Sequence, residues 1–178
     1  GGGYSSGVHG VGGGVAMALS ENFKAVSYVL GTAHEIIFHK GNLVQKEHSI
    51  PCPKNRQGTT VYLEPDTDIM GTVSLTCHEM FVLVANIVPL LPVNTQVDFT
   101  GIDTIGNIAI NEHMVNVDGI FTFLRQRTQS ALINPISFSM DNGIMKAEGA
   151  FTYDSTDLTS AEDIISFANF TNTTGGGT

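Results

Sequence analysis

A glycine-rich run with one histidine, Ser5-Ser6-Gly7-Val8-His9-Gly10-Val11-Gly12-Gly13-Gly14, leads directly into the small, apolar stretch Val15-Ala16-Met17-Ala18-Leu19-Ser20. Glycine backbones approach a ligand closely and tolerate positive φ. A helix that starts where such a loop ends presents unpaired N–H groups and the positive end of its dipole. Loop and helix start together suit an anion, phosphate above all. The same composition also serves flexible linkers. The run is not a Walker A loop, because no Gly-Lys-Ser/Thr follows. It is not a dinucleotide fingerprint either, because no strand precedes it in the sequence.

The other reactive side chains form no obvious constellation. Cys52 and Cys77 are the two cysteines, too few for a disulfide framework. His48 and Cys52 on one side and Cys77 and His78 on the other lack the paired spacing of a zinc site. Glu79, Asp98, Asp103 and Glu112 are available carboxylates, but nothing in their spacing marks a general base. The formal net charge is −9, with eight lysines and arginines scattered along 178 residues. Such a surface is a poor grip for nucleic acid, which needs clustered cations. A hydrophobic content of 42% supports a folded core rather than disorder. No signal peptide or apolar run of membrane-spanning length appears.

The elements that must position the loop follow from periodicity. Val11 to Ser20 is a short helix, weakened by Gly13 and Gly14 at roughly 1 kcal/mol each relative to alanine. Strands are expected over 23–30, 32–39 and 43–50, punctuated by Gly31 and Lys40-Gly41-Asn42. A loop with two prolines leads to a buried strand over 59–63, rich in β-branched residues. Residues 74–91 have helical spacing, with Pro89 and Pro92 ending or kinking the helix. Strands are expected over 96–101 and 107–111, then a helix from Gly119 to about Ala131 capped by Asp118. A hairpin over 135–153 turns at Asp141-Asn142-Gly143, and 164–170 begins a further strand. The fold class is α+β.

Three segments resemble the ATPase (B) subunits of type IIA DNA topoisomerases, the gyrase B and topoisomerase IV B family with its phage members. Gly7-Val8-His9-Gly10-Val11-Gly12 with Ala18-Leu19-Ser20 resembles that family's ATP lid. Gly58-Thr59-Thr60-Val61-Tyr62-Leu63-Glu64-Pro65-Asp66 resembles its Gly-Thr-x-Val strand. Ser166-Phe167-Ala168-Asn169-Phe170-Thr171-Asn172-Thr173 with Gly175-Gly176-Gly177-Thr178 resembles a segment of its transducer domain. The landmarks occur in the family's order and span nearly the whole chain. The spacing of Tyr4 from His9 departs from the common pattern, and the lid helix carries more glycine than usual.

The resemblance implies the C-terminal part of a GHKL-type ATPase domain, including the lid, over residues 1–106. The start of a ribosomal-S5-domain-2-like transducer domain follows over 107–178. Gly7, His9, Gly10, Val11 and Gly12 would fold over the triphosphate of ATP, with His9 beside the phosphates unless it is simply a loop histidine. Thr59 would reach the adenine edge, although strand threonines also serve structure alone. The general-base glutamate and the Mg2+-binding asparagine would lie upstream of the lid, so no catalytic residue is assigned within the chain. Both ends fall inside motifs, and the sequence is expected to be a segment of a longer cytoplasmic protein, inactive alone. The parent would dimerise on ATP, act on DNA through other domains, and work with a second subunit carrying the cleavage tyrosine. The alternatives are a non-catalytic acidic interaction module and another GHKL ATPase.

Overall fold

The computed structural model describes residues 11–72, 75–103, 106, 108–128, 130–131, 133–155, 163–168 and 171–173. They fall into two compact units that divide between residues 72 and 75. Antiparallel sheets and short helices make up both, which is the expected α+β class.

The first unit holds α1 (Gly12–Ala18), β1 (Ser20–Val29), β2 (Thr32–His39), β3 (Asn42–Pro51), β4 (Gly58–Pro65) and α2 (Thr67–Met70). Its four strands form one sheet in the order β3-β2-β1-β4. Two-residue turns join the first three strands. Leu30 and Gly31 have φ of 50° and 86°, and Lys40 and Gly41 have φ of 47° and 73°. Positive φ at both central positions matches the right-handed strand twist, which is why a glycine is needed in each turn. The 52–57 loop then carries the chain across to the far side of β1. There β4 forms an edge strand that is exposed along its whole length. The expectation that 59–63 is buried is corrected here: Val61 and Leu63 are 55% and 49% exposed. β-branched composition reports strand geometry, not cover.

Phe23, Val26 and Ala33 form the buried apolar part of this unit, with Phe38 edge-on to Phe23 at 6.3 Å between ring centroids. Asp66 is almost fully buried and caps α2 by accepting from the Asp68 N–H at 2.9 Å. Its own N–H donates to the Leu19 carbonyl at 2.9 Å, tying the end of β4 to the end of α1. Lys40 reaches Asp68 at 2.5 Å, and this contact raises the lysine pKa and lowers that of the aspartate.

In the second unit α3 (Cys77–Ile87) is followed by a single 3-10 turn, β5 (Gln96–Ile102), β6 (Ala109–Val115), α4 (Ile120–Arg127), β7 (Ile136–Asp141), β8 (Lys146–Phe151), β9 (Ser166–Ala168) and β10 (Thr171–Thr173). The strands pair as three antiparallel hairpins. Helix α3 is shorter than its periodicity suggested. Thr76 and Glu79 form a capping box, and the Asp103 carboxylate accepts from the Cys77 N–H at 2.7 Å. These bonds fix the start. Pro89 lacks the N–H needed to continue, so the helix tightens into the 3-10 turn at Val88–Leu90.

Asp118 does not cap α4. Gly119 takes the cap position with φ of 60° and no side-chain bond to the helix, while the Asp118 carboxylate pairs with the Arg125 guanidinium. Asn116, fully buried, sits beneath this start. It donates to the Leu91 carbonyl at 2.5 Å and accepts from the Gly119 N–H at 2.8 Å. The Asp141-Asn142-Gly143 turn forms as expected, with the Asn142 side chain accepting from the Ile144 and Met145 N–H groups at 3.0 and 2.8 Å. The strand expected over 107–111 runs instead over Ala109–Val115. That expected over 164–170 is represented by β9, with residues 169 and 170 outside the described set. Cys77, Val88 and Phe123 are buried, and Phe167 stands edge-on to Phe123 at 5.2 Å.

Candidate functional site

Gly7, His9 and Gly10 lie outside the described residues. Val11 is the cap residue of α1 and Gly12 its first helical residue, with no side-chain bond at the cap. The helix has no acidic residue in its first turn, no basic residue in its last, and no buried residue. A Cβ built on Gly12, Gly13 or Gly14 would meet nothing within 4 Å. The helix is held at its C-terminal end, where the Ser20 hydroxyl donates to the Ala16 carbonyl at 2.6 Å and Asp66 bonds Leu19.

Thr59 stands on the edge strand β4, directly opposite Ser27 of β1. Pro65 is six positions further on, about 20 Å along the strand, so Thr59 lies well away from the junction with α1. Successive strand residues face opposite sides of a sheet, and the register therefore defines what shares the Thr59 face. Leu63, Phe23 and Phe38 form one cross-strand row there. Val61, Ala25 and Ile36 form the next. Thr59, Ser27, His34 and Ser49 form the third. Two apolar rows are thus followed by a polar one that crosses all four strands.

At the other end of that row, on β2 and the edge strand β3, His34 Nδ1 lies 2.8 Å from the Glu47 carboxylate and 3.1 Å from the Ser49 hydroxyl. Both contacts use the same ring nitrogen, so the three do not form a relay in which one nitrogen serves the acid and the other the hydroxyl. The opposite face carries a different network. Lys24 pairs with Glu35 at 2.8 Å, and Gln45 donates to Glu35 at 3.3 Å. The hydrogen bond from Lys24 lowers the Glu35 pKa, and the lysine is raised in return.

Three of the four candidate carboxylates of the second unit are engaged locally. Glu79 belongs to the capping box, Asp103 bonds the α3 backbone, and Asp98 bonds His113 Nδ1 at 2.6 Å. Burial pushes the Cys77 thiol pKa up, which keeps it protonated and unreactive. Among the described residues no group of three histidines, cysteines or carboxylates is placed to hold a metal ion. No helix among them is long and apolar enough to cross a membrane. Ser27, His34 and Ser49 are not singled out by sequence reasoning. Alternation assigns each to a face of its own strand, but only strand register brings them into line with Thr59.

No family model matches the chain. It is 28% identical over 179 residues to the DNA topoisomerase 4 B subunit of Mycoplasma capricolum, covering 98% of this chain and 26% of the relative. It is 30% identical over 183 residues to the DNA gyrase B subunit of Streptococcus pyogenes, covering 100% of this chain and 27% of the relative. The chain therefore spans about a quarter of the length of these curated relatives. Among solved structures, the 43K ATPase domain of Thermus thermophilus gyrase B, in complex with an aminocoumarin, superposes with a TM-score of 0.74 at 21% identity. The match covers 92% of this chain and 44% of that one. The gyrase B-subunit of Myxococcus xanthus gives a TM-score of 0.67 at 16% identity, covering 89% and 46%. The fold resembles part of each of these two gyrase B structures.

Proposed function

We propose that this chain, which is related in sequence and fold to the B subunits of type IIA DNA topoisomerases, forms part of an ATP-binding subunit whose closure on nucleotide drives DNA strand passage. Thr59 carries the reading. Among the described residues its hydroxyl has no hydrogen-bond partner, and on its face the exposed apolar side chain of Val61 stands in the next row, with Leu63 beyond it. A flat apolar surface with one fixed polar group is what a purine base requires. The lid residues Gly7, His9, Gly10, Val11 and Gly12 serve the phosphates through their backbone N–H groups.

Residues 1–106 are assigned to the ATPase domain and 107–178 to the transducer. On the resemblance of the lid motif, the Mg2+ ligand and general base are assigned upstream of the lid, and the chain alone is proposed to lack turnover. The charge of −9 leaves DNA contact to other domains of a cytoplasmic parent, acting with a second subunit that carries the cleavage tyrosine and dimerising on ATP.

The test is nucleotide binding and turnover by the protein that carries this chain, with and without Gly10→Val. A β-branched side chain at Gly10 blocks close approach of phosphate to the backbone. Loss of ATP affinity and turnover supports the reading, whereas wild-type affinity and turnover in the variant overturn the phosphate cradle.

A further inference from the structure

The polar row that crosses the first sheet contains a second hydroxyl beside Thr59. Ser27 of β1 is the direct cross-strand partner of Thr59, and such partners stand about 5 Å apart with side chains on the same face. Among the described residues neither hydroxyl has a hydrogen-bond partner. No buried polar side-chain atom of the described residues is left unpaired, so both hydroxyls are accessible. The neighbouring row, Val61, Ala25 and Ile36, is wholly apolar. Two adjacent free hydroxyls bordering an apolar strip are unfavourable under any apolar cover, because each would lose its water without replacement. They suit a partner that is flat, apolar on its face and polar on its edge. The remaining members of the row, His34 and Ser49, are bonded to each other and His34 to Glu47, so the free positions are confined to the Thr59 end.

We infer that Ser27 is a second base-contacting residue of the nucleotide site, acting with Thr59 to read the polar edge of the purine. The inference rests on the proposed ATP-binding role and deepens it. A hydroxyl both donates and accepts, so two of them side by side match an edge on which a donor alternates with an acceptor, as adenine presents. Alanine at either position removes one of the two contacts without adding bulk.

The experiment compares the protein that carries this chain as wild type, Ser27→Ala, Thr59→Ala, the double variant and Ser27→Thr. Calorimetric titration with ATP reads affinity, and thermal unfolding without nucleotide checks folding. Ser27→Ala is expected to weaken ATP binding by about 5-fold, the worth of one neutral hydrogen bond. Ser27→Thr keeps the hydroxyl, suits a strand, and is expected to retain wild-type affinity. Wild-type affinity in Ser27→Ala, beside a weakened Thr59→Ala, overturns the assignment of Ser27 while the ATP-binding reading stands. Absence of ATP binding by the wild-type protein overturns both.

Discussion

Gly101 lies so close to Cys77 that a Cβ built on it would stand 2.8 Å from the Cys77 Cβ and 3.0 Å from the Phe99 ring. The contact lets α3 settle against β5, and Cys77 itself is buried and fixed by Asp103. Gly101→Ala therefore forces backbone to move and is expected to cost about 1–3 kcal/mol. Gly149 offers the contrast. The atoms a Cβ would meet there belong to the ring of Phe138, which is 59% exposed and free to swing away. Chemical denaturation of both variants should show Gly101→Ala as the more destabilised; the reverse order would mean that the α3–β5 approach is not rigid.

Asn116 joins the turn after α3 to the start of α4 with both ends of its amide engaged. Asn116→Ala strands a buried carbonyl and a buried N–H and is expected to cost about 2–4 kcal/mol. Asn116→Asp sets an anion against the Leu91 carbonyl and should be still less stable at neutral pH, recovering partly in acid as the carboxyl protonates. Unfolding midpoints at pH 7 and pH 5 test both statements.

The capping box gives α3 a defined acid sensitivity. The Thr76 N–H and hydroxyl bond the Glu79 carboxylate at 2.8 and 2.9 Å and hold its pKa below its ordinary 4.5. A carboxyl lowered in the folded state contributes stability that is fully present above its unfolded pKa and is lost as pH falls through the folded value. The contribution should therefore be intact at pH 6 and fade below about 4.5. Glu79→Gln should flatten that part of the stability profile, and an unchanged slope would remove Glu79 from the account.

DNA should bind this chain poorly. The net charge is −9, and Lys24, Lys40, Arg125 and Lys146 are each paired with a carboxylate. Arg56 lies over Tyr28 at 3.8 Å and Arg127 over Phe123 at 4.3 Å, which further commits the cations locally. Fluorescence anisotropy at low ionic strength should detect no micromolar complex with duplex DNA. Tight binding that weakens steeply with salt would reveal a basic surface that these pairings conceal.

The hairpins of the first unit were legible because their turns are written in glycine, at Gly31 and Gly41, between alternating segments. The solvent exposure of β4 was not, since Val61 and Leu63 look the same in sequence whether or not anything covers them. Asp118 shows how a local signal loses to a longer-range one. It has the chemistry of a cap, but Arg125 draws its carboxylate away and Gly119 supplies the turn instead. Thr59 was found through the resemblance of its strand, whereas Ser27 required register, which no single strand encodes. The lid positions Gly7, His9 and Gly10 remain a matter of sequence, since they fall outside the described residues.

A Cβ on Gly12, Gly13 or Gly14 would meet nothing within 4 Å, so no packing at these positions offsets their preference for the coil. Three successive glycines each favour the coil by about 1 kcal/mol relative to alanine, and no burial within α1 offsets this. A ligand that needs α1 helical binds only the helical fraction, so its apparent dissociation constant is the intrinsic one divided by that fraction. If the loop holds phosphate as proposed, binding and order in α1 become one equilibrium, in which a bound phosphate is worth as much to the helix as the helix is to the phosphate.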